Sequence, residues 1–331
     1  MEKLRLNPIT NRWVIFTEEN DLFDKISANQ AKISPENCPF CLGNEAMTPP
    51  ETDADRPGSK KPDSPGWLTR TVPNKFPALE NDLERKSEKE GIFEKREGFG
   101  FHEVIIENPN HNKTMFQLSK EEMIRVFNVY KRRFNLLAKN KKLKYILIFK
   151  NHGLAAGASL EHPHTQLICL PILPKRVTEE LEATKNYFSQ NDKCMFCEMI
   201  AKEKKEKIRI IEENEDFIAF CPFFSRSPFE ITILPTTHSS NFANINDQQI
   251  GNLSDIFKKL FVKLNQVLGD YPYNFLIHTS PINTKEENQI YYHWHIEFLP
   301  KLGEIAGFEW ATGGYINPIL PESAAKHLQE A

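Results

Sequence analysis

No stretch of this 331-residue chain approaches the ~20 consecutive apolar residues that a membrane helix needs, although 40% of its residues are hydrophobic. The opening Met1-Glu-Lys-Leu-Arg-Leu6 carries no apolar run of the secretory kind, so a cytoplasmic location is the expectation. An excess of charge of one sign is missing too. The formal net charge is −3 with 26% charged residues, which offers no overall basic field for nucleic acid. The lysine runs at 139–144 and 202–207 are short or mixed with glutamate and read as solvated faces. Cysteine is scarce, with six residues. Four of the six form two C-x-x-C pairs, Cys38–Cys41 and Cys194–Cys197. In a chain with no secretory signature that points to metal rather than disulfides. Two pairs, each followed by histidines, fit a thioredoxin-like redox motif poorly. Cys169 and Cys221 lie in apolar stretches and read as inert core thiols.

What is present is one ligand set written twice. The first copy runs Cys38-Pro-Phe-Cys41, Pro109-Asn-His111, then Glu161-His-Pro-His-Thr-Gln166. The second runs Cys194-Met-Phe-Cys197, Pro235-Thr-Thr-His238, then Tyr292-His-Trp-His295. Each copy supplies two thiolates and two imidazoles, the complement of a closed tetrahedral zinc site. Such a site has no open position for water. It would tie a long cysteine loop to a sheet and offset the loop's entropy. His102 or His152 could replace His111 as the fourth ligand of the first set.

The surrounding pattern repeats as well. Alternating or β-branched runs predict strands at 12–16, 101–107, 145–149 and 166–170, then at 216–220, 229–234, 273–277 and 295–300. Ser119 followed by Glu121 and Glu122 reads as a helix start, with Met123, Val126, Phe127, Tyr130, Phe134 and Leu137 on one face. A second helix spans 250–268, and 273–277 matches 145–149. The fold class is α+β with antiparallel sheets that are able to join into one. The boundary lies in the charged helical segment 175–191, giving domains 1–176 and 177–331.

Each copy has one histidine left over. In the first it is His164, whose setting suits a nucleophile. A neutral imidazole attacks phosphorus through one nitrogen while the other donates to an acceptor that holds the tautomer. Gly153, Gly157 and Ser159 let backbone N–H groups approach phosphate oxygens. Gln166 can donate to a nonbridging oxygen. A competing reading puts both His162 and His164, which share a strand face, on one metal.

These residues resemble the galactose-1-phosphate uridylyltransferases of the histidine-triad superfamily. The resemblance rests on 151–166 with its His-Pro-His, the Cys38–Cys41 pair, Pro109-Asn-His111, Arg12-Trp-Val14 and Leu276-Ile-His278. It implies two fused histidine-triad-like domains, a nucleotidylated His164, and zinc at Cys38, Cys41, His111 and His162. It implies nucleotide and phosphate contacts from Asn74, Asn151, Ser159 and Gln166, with Gly157 in the same loop. The family offers two second metal sites. Cys194, Cys197, His238 and His293 complete the internal repeat and are preferred here. Glu180, His278, His293 and His295 are the alternative. UDP-glucose and galactose 1-phosphate are the first expectation for substrates, with no nucleic acid or membrane partner and a homodimer suggested by the resemblance.

Two departures stand out. Residues 17–23, Thr-Glu-Glu-Asn-Asp-Leu-Phe, lack the arginine that family members carry there. The run 307–318 looks closer to the ADP-glucose phosphorylases, which use the same intermediate with phosphate as acceptor, and Tyr315 falls where uridylyltransferases carry a glutamine. A nucleotide-sugar phosphorylase is therefore the second reading. A non-catalytic nucleotide-binding zinc protein is the reading from another class.

Overall fold

The computed structural model describes residues 4–17, 35–58, 61–83 and 86–331. Residues 18–23 of the arginine-free segment lie outside that range. The expected helix start is present. Ser119 caps α1 (Lys120–Leu137): its hydroxyl accepts from Glu122 N, and the Glu122 carboxylate accepts from Ser119 N. Two donors that the helix cannot satisfy internally are thereby paired.

The N-terminal half contributes β1 (Leu4–Asn7), β2 (Arg12–Phe16), β3 (Asp53–Asp55), β4 (Thr69–Pro73), the hairpin β5 (Ser87–Glu90) and β6 (Phe93–Arg96), β7 (Phe101–Ile106), β8 (Tyr145–His152) and β9 (His164–Leu170). Then come α2 (Lys175–Asn191), α3 (Met195–Glu206), β10 (Ile210–Glu213), β11 (Phe217–Phe220), β12 (Ile231–Pro235), α4 (Asp247–Leu268), β13 (Tyr273–His278), β14 (His295–Pro300), α5 (Gly307–Thr312), β15 (Tyr315–Asn317) and α6 (Pro321–Glu330). The lysine run at 202–207 is mostly the last turn of α3, where Lys202 pairs with Glu206 one turn on.

The two halves share one ten-stranded sheet in the order β10-β11-β12-β14-β13-β8-β9-β7-β4-β3. The seam is the antiparallel pair β13–β8, where Asn274 faces Asn151 and donates to its side-chain oxygen at 2.8 Å. Neither half therefore exposes a long strand edge at the join. β1 and β2 lie elsewhere: β2 pairs in parallel with β15, with Tyr315 beside Val14. Residues 4–17 thus lie with the second repeat in space, although they precede the first in sequence.

The internal match of 273–277 to 145–149 is shifted by one residue. Phe149 sits opposite Gln166 and Leu276 opposite Glu297. The equivalent of Tyr273 is therefore Ile146, and the burial patterns then agree from Ile146 to Lys150 and from Tyr273 to Ile277.

Strand alternation sorts core from chemistry. On β9, Leu167 and Cys169 turn toward α1, while on β14 Ile296 and Phe298 turn toward α4, all into one continuous core. The two helices meet there, with the Phe127 and Phe257 rings 5.1 Å apart. Truncating either ring would cost about 3–5 kcal/mol. His164 and Gln166, and likewise His295 and Glu297, are carried on the opposite face.

Candidate functional site

The first set assembles as expected. The ligand atoms of Cys38, Cys41, His111 and His162 lie within 4.8 Å of one another. Cys41 Sγ is 3.3 Å from His111 Nδ1 and 3.5 Å from His162 Nδ1, and Cys38 Sγ is 3.7 Å from His162 Nδ1. Zinc bonds of about 2.3 Å to sulfur and 2.0–2.1 Å to nitrogen place tetrahedral ligand atoms roughly 3.4–3.8 Å apart. His162 Nε2 donates to the Asn108 carbonyl at 2.8 Å, which leaves its Nδ1 lone pair facing the sulfurs. Burial, and then Cys38 beside it, push the Cys41 thiol up to about 12. Two buried neighbouring thiols do not both ionise without a cation between them, so the donor set fits a zinc ion.

His102 and His152 are not part of this set. His102 lies two strand positions from Val104, beside Gln166. His152 turns to the other face and stacks on Tyr273 at 4.8 Å.

The second set assembles in the same way. Cys197 Sγ is 3.5 Å from His238 Nδ1 and 3.6 Å from His293 Nδ1, and His293 Nε2 donates to the Pro235 carbonyl at 3.0 Å. The alternative quartet does not come together. His293 turns toward the sulfurs, while Glu180, His278 and His295 form a separate buried trio. His278 stacks on His295 at 4.6 Å and lies between Glu180 and Glu297, 3.2 and 3.3 Å away. Burial opposes its charge, but Glu180 and then Glu297 push it up to about 9.

His164 stays out of the first metal set. Its Nδ1 donates to the His162 carbonyl at 2.8 Å, so Nε2 carries the lone pair. Burial, reinforced by the Lys150 charge, pushes its pKa down to about 4, so the ring is neutral at pH 7. The Phe40 ring, from inside the first cysteine pair, packs edge-on at 5.3 Å. Phe40, Val72, Asn74, Ser159, His164 and Gln166 are among the residues lining a cavity of about 420 Å³. That volume suits a nucleotide-sized ligand.

Asn151 and Gly157 do not line this cavity. The Asn151 amide reaches the Gly157 carbonyl at 3.5 Å, and Gly157 closes the loop with φ +85°, a conformation that favours glycine. Tyr315 is on β15 beside Val14 and does not line this cavity either.

Beneath His164, on the core side of the sheet, is a cluster that sequence reasoning missed. Lys150 Nζ donates to both Glu107 oxygens at 2.8 Å and to the His164 carbonyl at 3.0 Å. Thr165 donates to Glu107 and accepts from Tyr130 at 2.6 Å. Lys150 and Glu107 are both buried. The available signal was a lysine inside an otherwise apolar strand, Tyr145-Ile-Leu-Ile-Phe-Lys150.

No helix among the described residues is long and apolar enough to cross a membrane. Residues 1–174 match the family model described as galactose-1-phosphate uridyl transferase, N-terminal domain, and 180–329 match its C-terminal domain. The chain is 38% identical to an ADP-glucose phosphorylase of Arabidopsis thaliana, over 99% of this chain and 92% of that one. It is 30% identical to a galactose-1-phosphate uridylyltransferase of Thermotoga maritima, over 100% and 98%. A solved Arabidopsis thaliana ADP-glucose phosphorylase with bound ADP-glucose superposes with a TM-score of 0.84 at 36% identity, covering 99% and 98% of the two chains. The chain belongs to the galactose-1-phosphate uridyl transferase family.

Proposed function

We propose that this chain is a nucleotidylyltransferase that works through a covalent His164 intermediate. The observation that carries the reading is the pinned imidazole: Nδ1–H held by the His162 carbonyl, Nε2 free beside a large cavity. In the first half-reaction the Nε2 lone pair attacks the α-phosphorus of a nucleotide-sugar. The bond from phosphorus to the bridging oxygen breaks, and sugar 1-phosphate leaves with that oxygen. In the second, an oxygen of the acceptor phosphate attacks the same phosphorus and the P–N bond breaks, restoring neutral His164. Kinetics are ping-pong. Asn74, Ser159 and Gln166 contact the nucleotide and its phosphates, while Asn151 and Gly157 hold the loop in shape. Zinc in each Cys2His2 set ties the cysteine loop to the sheet and takes no part in the transfer.

Uridylate from UDP-glucose, with galactose 1-phosphate as acceptor, is the reading the family name favours. Adenylate from ADP-glucose, with inorganic phosphate as acceptor, is favoured by the greater identity to the Arabidopsis enzyme, 38% against 30%. The greater identity weights the proposal toward adenylate. Intact-protein mass spectrometry after brief incubation with each nucleotide-sugar, without acceptor, decides. An acid-labile adduct of one nucleoside monophosphate, missing in His164→Ala, is the expected result, and its mass names the base. Absence of an adduct with any nucleotide-sugar would overturn the covalent mechanism.

A further inference from the structure

The sequence offers His102 either as a strand residue or as a spare metal ligand. Its contacts give it a different task. The backbone N–H of Ala78 donates to His102 Nδ1 at 3.1 Å. A backbone N–H is always a donor and its direction is set by the chain. His102 Nδ1 must therefore be the acceptor nitrogen, and in the neutral ring the proton sits on Nε2. Two side-chain atoms approach Nε2: Gln166 Oε1 at 2.8 Å and Asn74 Nδ2 at 3.2 Å. Only the Gln166 oxygen can accept. The Asn74 amide is already fixed by Phe76 N–H, which donates to its oxygen at 2.9 Å.

The consequence falls on Gln166. A glutamine amide can turn over with little change of shape, exchanging oxygen for NH2. The His102 Nε2–H favours one of the two orientations, since the other would leave it facing the Asn74 and Gln166 NH2 groups with no acceptor. With Oε1 held, the Gln166 NH2 faces the cavity that also contains His164, two residues away on the same strand face. No second hydrogen bond holds the Gln166 side chain among the described residues.

The other half of the molecule supplies a control. Val104 pairs with Gln166 and Thr232 with Glu297. Counting two residues back on each strand, Glu230 takes the place of His102, and Glu297 takes that of Gln166. There Arg226 bridges Glu230 at 2.7 Å and Glu297 at 2.8 Å, and the space beside His295 shrinks to about 10 Å³. The same register carries a closed ion cluster where no ligand fits and a neutral, directional relay where one does.

We infer that His102, through the relay Ala78 N–H to His102 to Gln166, is a positioning residue that turns the Gln166 amide hydrogens toward the transferring phosphoryl group. The inference rests on the covalent nucleotidyl transfer proposed above. Because the amide is pre-oriented, no reorganisation is needed as negative charge builds on the nonbridging oxygens.

The test uses the full chain and single-turnover nucleotidylation by the nucleotide-sugar that labels the wild type. His102→Phe keeps the ring and loses the donor, and is expected to slow the step roughly 10–100-fold with little change in donor affinity. His102→Gln puts an amide N–H where Nε2–H was and is expected to recover most of the rate. In a Gln166→Ala background, His102→Phe is expected to add less than about twofold, because the two act as one unit. A His102→Phe protein with wild-type rate, a His102→Gln protein no faster than His102→Phe, or full additivity with Gln166→Ala overturns the proposal. Nitrogen NMR of the wild type with labelled histidine gives a second reading. It is expected to show His102 protonated on Nε2, and protonation on Nδ1 would equally overturn the relay. A wild type that takes no label would sink the covalent mechanism, yet the tautomer would still decide the relay.

Discussion

The two halves of the sheet hold matching histidines and differ in what lies above and below them. His164 and His295 both donate Nδ1–H to the carbonyl two residues back, at 2.8 and 3.0 Å. Both are packed by the phenylalanine of a cysteine pair, Phe40 at 5.3 Å and Phe196 at 4.8 Å. Both are buried, and burial pushes each down to about 4. Above His164 is the 420 Å³ cavity; above His295, Arg226, Glu230 and Glu297 take the space. Below, the strand equivalence gives Lys150, Thr165 and Glu107 in the first half and Ile277, Ile296 and Pro235 in the second. On the proposed reading, a pinned imidazole is insufficient by itself for transfer. Access and a polar underlay separate the half proposed to react from the half that supports it.

The sharpest way to break this comparison is to remove each histidine in turn. His164→Ala should lower turnover on the order of 10⁴-fold or more, as loss of a covalent nucleophile does. His295→Ala should change it less than about threefold. Steady-state kinetics on both variants checks this, and comparable losses would mean that the second half also reacts. Next come the metals, where the halves should behave alike. Cys41→Ser and Cys197→Ser should each lower bound zinc from about two ions per chain to about one, by elemental analysis, with a lower melting temperature. If Glu180→Gln removed an ion and Cys197→Ser did not, the preferred second ligand set would be wrong.

The ligand sets were readable from sequence because cysteine and histidine are chemically committed and their spacing is short. The capped start of α1 was readable because Ser119 and Glu122 act within one turn. The seam between β13 and β8 was not, because which strand edges meet is decided by twist and packing far from either strand. The parallel pairing of β2 with β15 joins residues some 300 positions apart, Val14 with Tyr315, and carries no local signal. The one-residue slip in matching 273–277 to 145–149 arose because both strands begin with tyrosine. That slip also hid Lys150, whose counterpart is the apolar Ile277.

Lys150 gives the next prediction, now on stability. Lys150→Met leaves Glu107 buried without its cation and should cost about 3–5 kcal/mol in denaturant unfolding. Glu107→Leu should cost a similar amount for the reciprocal reason. The double variant should recover much of the loss, since Ile277 and Pro235 show that the equivalent places in this fold accept apolar residues. If the recovered double variant also kept wild-type turnover, the polar underlay would be irrelevant to chemistry and the comparison would reduce to access alone.

The smallest effect tests acid sensitivity. His152 stacks on Tyr273 at 4.8 Å, and burial, then the Lys150 charge, push it from 6.5 down to about 4. A histidine depressed in the folded state holds its proton more weakly there than in the unfolded chain. Its stabilising contribution is therefore complete above pH 6.5 and is lost as pH falls toward 4. At about 1.4 kcal/mol per pH unit over that window, lowering the pH from 6.5 to 5 should remove on the order of 2 kcal/mol through this residue. The same strand equivalence puts Thr279 in its place in the second half, where nothing titrates. His152→Phe keeps a ring against Tyr273 and removes the titration, so its stability should fall less steeply between pH 6.5 and 5 than that of the wild type. Parallel pH dependences for the two proteins would show that His152 is not held neutral, and that acid sensitivity does not distinguish the two halves at this position.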